Sequence, residues 1–138
     1  MIERITGGCL CGALRYEAGA EPAFAGYCCC DDCQKASGSG FIPFMGFPAS
    51  ALKITGKTLT HRWKLSDGRE AVRNSCVRCG SLVFGGVLGT DDLHTIYAGT
   101  LDDRPRFKPA MAINTRFKPG WVILPSDISQ FEGMPPRS

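Results

Sequence analysis

A small, mainly β domain of several short antiparallel sheets with one or two short helices is the fold class the sequence predicts. Three observations carry it. Short apolar and β-branched runs recur along the chain, Gly, Pro, Asp and Ser punctuate them, and only one segment opens with a convincing helix start. The 138 residues form one ordinary domain spanning the whole chain, 1–138. A chain of that length buries roughly two-thirds of its unfolded surface on folding.

In chain order the expected strands are Leu14 to Glu17, Phe41 to Phe47, Leu52 to Ile54, Leu59 to Leu65, Arg69 to Ser75, Leu82 to Val87, His94 to Ala98 and Met111 to Thr115. Leu59, His61, Trp63 and Leu65 alternate and so share what should be an apolar face. Asp67-Gly68 suits a two-residue type I′ hairpin turn. That register pairs Ser66 with Arg69, sets Trp63 opposite Val72 and brings Arg62 face to face with Arg73. Like charges opposed across strands cost a few tenths to about 1 kcal/mol. The two arginines either splay into solvent, as long side chains readily do, or hold an anion between them, and the second reading makes them a candidate carboxylate anchor. The helix opens at Asp31-Asp32, where an aspartate caps free N–H groups, and its dipole favours a thiolate at Cys33.

Apolar residues are 43% and charged residues 21% of the chain, which excludes a disordered or fibrous protein. The start, Met1-Ile2-Glu3-Arg4, lacks a secretory apolar stretch, and no later run is long enough to span a bilayer. The expectation is a cytoplasmic protein without a membrane partner.

The eight cysteines set the chemistry. Disulfides are the competing use, but a reducing compartment and very tight spacings argue for chelation: Cys9-x-Cys11, Cys28-Cys29-Cys30-x-x-Cys33 and Cys76-x-x-Cys79. Zinc takes four thiolates at about 2.3 Å in a tetrahedron, and a pair within one turn fills two corners. Cys9 and Cys11 with Cys76 and Cys79 complete one closed, structural set. Cys28, Cys30 and Cys33 remain, and three protein ligands with an open position is the pattern of a catalytic zinc. Gly12 and Gly80 each follow a pair, where a chain wrapping a metal needs positive φ. If Tyr27 to Cys30 is extended, Cys29 faces away from its neighbours and packs as a small apolar residue. Seven thiolates and two zinc ions bring the formal charge of +3 to zero. With no Lys/Arg block beside this, nucleic acid is not an expected partner.

The run Gly7-Gly8-Cys9-Leu10-Cys11-Gly12-Ala13-Leu14-Arg15-Tyr16, then Cys28 to Cys33 with Lys35, Ser37 and Gly38, resembles the glutathione-dependent formaldehyde-activating family. Ser75-Cys76-Val77-Arg78-Cys79-Gly80-Ser81-Leu82, Ala98-Gly99-Thr100-Leu101-Asp102-Asp103, and Pro109, Ile113, Lys118 and Trp121 follow in that family's order, so the likeness runs from about Gly7 to Pro135. The resemblance implies a zinc-containing β-tent fold, a structural zinc on Cys9, Cys11, Cys76 and Cys79, and a catalytic zinc on Cys28, Cys30 and Cys33. It also implies glutathione and formaldehyde as substrates, joined as S-hydroxymethylglutathione. The sequence departs from the family pattern at Cys29 and Ala112, where relatives commonly carry His, and at Gln34, where they carry Arg. Two imidazoles and a carboxylate clamp are thereby absent.

The expected function is a zinc-dependent carbon–sulfur lyase or synthase acting on a thiol and an aldehyde. Three thiolates mute the Lewis acidity of the ion, which favours thiol activation over hydrolysis. The alternative from another class is a non-catalytic zinc-binding interaction module. Candidate substrate contacts are Lys35, just past the triplet, with Arg62 and Arg73. His61 and His94 are expected to be structural, and Phe41, Phe44 and Phe47 to pack in the core.

Overall fold

The structure, a computed structural model, describes residues 3–65 and 67–136. Its strands are β1 (Ile5–Gly8), β2 (Arg15–Ala18), β3 (Phe24–Cys28), β4 (Ile42–Pro48), β5 (Leu52–Thr55), β6 (Thr58–Lys64), β7 (Glu70–Cys76), β8 (Leu82–Gly85), β9 (Leu93–Tyr97), β10 (Met111–Ile113) and β11 (Ser129–Gln130). A single α-helix among the described residues, α1 (Asp31–Ser37), follows β3, and four short 3-10 turns complete the regular structure. No helix among the described residues is long and apolar enough to cross a membrane.

The fold is mainly β, as expected, but among the described residues its sheets are two and not several. A three-stranded sheet has the order β1-β2-β5, and an eight-stranded sheet the order β11-β10-β3-β4-β9-β8-β7-β6. The larger sheet is also mixed: β10 runs parallel to both β3 and β11, while its other neighbours pair antiparallel. The eight expected strands are present with ends shifted by a few residues. Three were not foreseen as strands: β1, whose Gly7-Gly8 reads as a turn, β3, and the two-residue β11.

Period-2 alternation on the central strands gives the larger sheet two packed faces. Met45 and Phe47 of β4 and Ile96 of β9 join Ile5, Leu14 and Tyr16 of the smaller-sheet region in one core. Ile42 and Phe44 of β4 and Tyr97 of β9 join Cys28, Cys33 and Ile113 in a second. The two cysteine sets divide in the same way, since Cys9 and Cys76 belong to the first core and Cys28 and Cys33 to the second. Phe44 and Phe47 are buried, and half-buried Phe41 packs edge-on against Tyr27 at 5.0 Å.

The β6–β7 hairpin differs from its expected register by one residue. Leu65 donates its N–H to the Arg69 carbonyl at 2.7 Å, and the pairs behind it are Lys64 with Glu70, Trp63 with Ala71, Arg62 with Val72 and His61 with Arg73. Three residues, not two, therefore lie inside the closing pair, with Gly68 alone of the described turn residues at positive φ (90°). A type I′ turn needs positive φ at both central residues, and Asp67 does not supply it. The expected partner of Arg69, Ser66, lies outside the described residues. Because a one-residue slip turns every side chain to the other face, Arg62 and Arg73 do not oppose each other. The apolar face expected for β6 is not buried either: β6 is the edge strand, with Leu59 52% and Trp63 43% exposed.

Candidate metal centre

The four-cysteine set is built from two knuckles. Cys9 and Cys11 follow β1, and Cys76 and Cys79 follow from the end of β7; the Gly12 N–H closes on the Cys9 carbonyl at 3.2 Å and the Gly80 N–H on the Cys76 carbonyl at 2.9 Å. Gly12 and Gly80 have φ of 83° and 76°, as the wrapping geometry requires. All four sulfurs lie within 4.8 Å of one another, and Cys9–Cys11 and Cys11–Cys76 are 3.7 Å apart. A tetrahedron with metal–sulfur bonds of about 2.3 Å has edges of about 3.8 Å, so this donor set fits a metal ion such as zinc. Its sulfurs receive neutral donors. The Leu14 N–H reaches Cys9 at 3.2 Å, the Arg78 N–H reaches Cys76 at 3.3 Å, and the Ser81 hydroxyl lies 3.2 Å from Cys79. The Ser81 hydroxyl and backbone hold the Cys79 thiol down to about 5.

The second set is compact in sequence. Cys28 ends β3, Cys30 precedes α1 and Cys33 lies in its first turn, with the three sulfurs again within 4.8 Å of one another. The helix is capped differently from expectation. The Cys30 sulfur, not an aspartate, accepts the Cys33 N–H at 3.3 Å, and Asp31 is already helical. Hydrogen bonds from Cys30 and then Cys33 draw Cys28 down to about 2, while Cys33, whose proton is held by Cys28 and Cys30, is pushed up. Three close sulfurs fit a metal with a position to spare.

The three cysteines border a cleft. A cavity of about 650 Å³ is lined by Cys28, Cys30 and Cys33 on one side and by the tip of the β6–β7 hairpin, Trp63, Lys64, Leu65, Asp67 and Arg69, on the other. Arg73, Ile113, Asn114, Arg116, Phe117 and Met134 complete most of its wall. Arg73 reaches the sulfurs: its Nη2 donates toward the Cys33 sulfur at 3.8 Å and its Nη1 to the Tyr97 hydroxyl at 3.2 Å. Its Nε is buried with no hydrogen-bond partner among the described residues. Burial works against the guanidinium charge, and Tyr97 and Cys33 more than restore it, so its pKa is raised. Asn114 stands in the left-handed region (φ 56°, ψ 36°) at the end of β10 and donates its amide to the Cys28 sulfur at 3.4 Å.

Arg73 is the expected substrate contact that lies in the cleft. Arg62 does not line it and is paired with Glu70 at 2.7 Å. Lys35 is exposed on α1 and is not among the lining residues. Gln34 is a brace: its amide donates to the carbonyls of Cys29 and Phe117, both at 2.9 Å. Cys29 and Ala112 are fully buried and absent from the cleft wall. His94 is buried with Nδ1 3.1 Å from the Gly85 carbonyl, and His61 is exposed. Asn114 and Tyr97 were missed from sequence. The signal available for Asn114 was its tolerance of the left-handed region, which points to a turn and not to a site.

The model of the glutathione-dependent formaldehyde-activating enzyme family matches residues 4–116, which hold both cysteine sets. The chain belongs to that family. The match stops short of Lys118 and Trp121, where the sequence likeness had been traced further. Among solved structures, a Rhodobacter sphaeroides protein is similar at 19% identity and a TM-score of 0.52, covering 71% of this chain and 88% of that one, and this supports the fold. No curated protein matches the sequence.

Proposed function

We propose that this family member is a carbon–sulfur lyase or synthase that joins a thiol, glutathione by family membership, to formaldehyde or a similar aldehyde. One observation carries the reading. The three-sulfur set opens on a cleft, whereas the four-sulfur set closes on itself. Cys28, Cys30 and Cys33 are assigned as ligands of a catalytic zinc, and Cys9, Cys11, Cys76 and Cys79 as ligands of a structural zinc, giving two ions per chain. A zinc on the triplet would supply a fourth position that keeps an incoming thiol as thiolate near neutral pH.

The protein's own side chains account for the rest. Trp63, Ile113, Phe117 and Met134 give the cleft apolar surface beside the sulfurs, against which a thiol and an aldehyde can be oriented. Lys64 and Arg116, exposed lining residues, are placed to meet the carboxylates of a peptide thiol. Arg73 stays on the substrate side, at the sulfur end and without Arg62. The product oxygen takes its proton from water. Eight free cysteines suit a reducing, cytoplasmic setting.

The test is metal analysis together with the rate at which glutathione and formaldehyde combine, followed by NMR over the spontaneous reaction. Two zincs and a rate above background are expected. Two zincs with no acceleration for any thiol–aldehyde pair would leave the domain a zinc-binding scaffold and overturn the enzymatic reading.

A further inference from the structure

The sulfurs of the triplet meet N–H donors that differ in charge. Cys30 meets the Cys33 backbone N–H and Cys28 meets the neutral amide of Asn114. Cys33 alone meets a cation, Arg73. Among the described residues no cation hydrogen-bonds to a sulfur of the four-cysteine set, whose sulfurs receive backbone N–H groups and a serine hydroxyl. The difference has a charge consequence. Three thiolates around a dication already carry one net negative charge, and a fourth ligand arriving as an anion doubles it. A guanidinium against one of the sulfurs removes one unit.

The geometry keeps that guanidinium in place. Arg73 projects from β7, and Tyr97 of β9, buried at 8% exposure, takes Nη1 from behind. Tyr97 does not line the cleft; it packs in the core beside Cys28 and Cys33, and its hydroxyl meets Arg73. Tyr97 shares a core with Cys33, and the Nε of Arg73 is buried, so the guanidinium is held between the Tyr97 hydroxyl and the Cys33 sulfur.

We infer that Arg73, held by the Tyr97 hydroxyl, is the charge-balancing residue of the triplet and selects an anionic over a neutral fourth ligand, with Tyr97 as a positioning residue acting through it. The inference rests on the reading that the triplet holds a metal. A thiol binds there as thiolate with its proton released to solvent, and no electrons change hands. The selectivity concerns the charge on the ligating sulfur and not the substrate's carboxylates.

The experiment uses the full chain loaded with cobalt(II), whose absorption reports ligation, titrated with 2-mercaptoethanol and separately with imidazole. Neither probe carries a carboxylate, and no aldehyde is present. In Arg73→Met the thiol affinity should fall by about 10- to 100-fold, the range typical of lost partners around metal ligands, with imidazole affinity unchanged. Tyr97→Phe should shift the same ratio in the same direction by less, and Arg73→Lys should recover part of it. Should Arg73→Met not fold, the Tyr97→Phe and Arg73→Lys ratios decide the matter. Equal losses for both probes, or unchanged ratios in all variants, overturn the inference while leaving the metal site standing. A triplet that takes up no cobalt overturns the metal reading and this inference together.

Discussion

Cys9, Cys11, Cys76 and Cys79 surround one point from two knuckles more than sixty residues apart, with Cys11 and Cys76 separated by 65 positions. Cys28, Cys30 and Cys33 come from one strand end and one helical turn, stop at three, and share a cleft with Arg73 and Asn114. The donor atoms are the same, and the surroundings differ. On the proposed reading, the set that ties distant segments and is satisfied by neutral donors would staple the chain. The set that ties only its own turn, touches a cation and borders a cavity would contribute little to holding the chain and be free to do chemistry.

The largest expected effect that tests this contrast is Cys76→Ser. Structural zinc binding is worth about 10–16 kcal/mol, comparable with or above the whole stability of about 5–15 kcal/mol typical of a domain. Loss of soluble folded protein is expected, read by yield and circular dichroism. A variant with a native thermal transition would show that the closed set is not the staple. Cys33→Ser should keep cooperative unfolding while losing one metal and any thiol–aldehyde activity. Should it unfold like Cys76→Ser, the division of labour between the sets fails. Under a chelator, one metal should leave quickly from protein that remains folded, with the second released only on unfolding. Simultaneous release of both would contradict the open-and-closed distinction. The smallest effect belongs to Cys29→Ala. Emptying its fully buried site should cost about 1 kcal/mol, with both metals retained by elemental analysis. A drop to one metal would mean that Cys29 and not a neighbour belongs to the triplet.

Much of the site was legible before folding. Cys28, Cys30 and Cys33 and the two knuckles are recognisable because chelation needs ligands within one turn, and that is a local property of spacing. Part of the two cores was readable for a similar reason, since alternation along β4 separates Phe44 from Phe47, whereas β1 and β3, which also supply core residues, were not foreseen as strands. The hairpin register was not readable. One extra residue in the turn, with Gly68 at positive φ, moved Arg62 away from Arg73 and onto Glu70. The parallel β10 escaped for a different reason: it pairs with β3 across more than eighty residues, and nothing in Met111–Ile113 announces its neighbour.

By itself, then, the sequence determined a mainly β chain with two thiolate sets and the family to which it belongs, because periodicity, turn residues and ligand spacing act over a few residues. Only the tertiary structure decided what surrounds those sulfurs. Arg73 reaches Cys33 across 40 positions, Tyr97 reaches Arg73 across 24, and Asn114 reaches Cys28 across 86. Such meetings depend on sheet order and strand register, which are set by the packing of whole faces and not by any short stretch of chain.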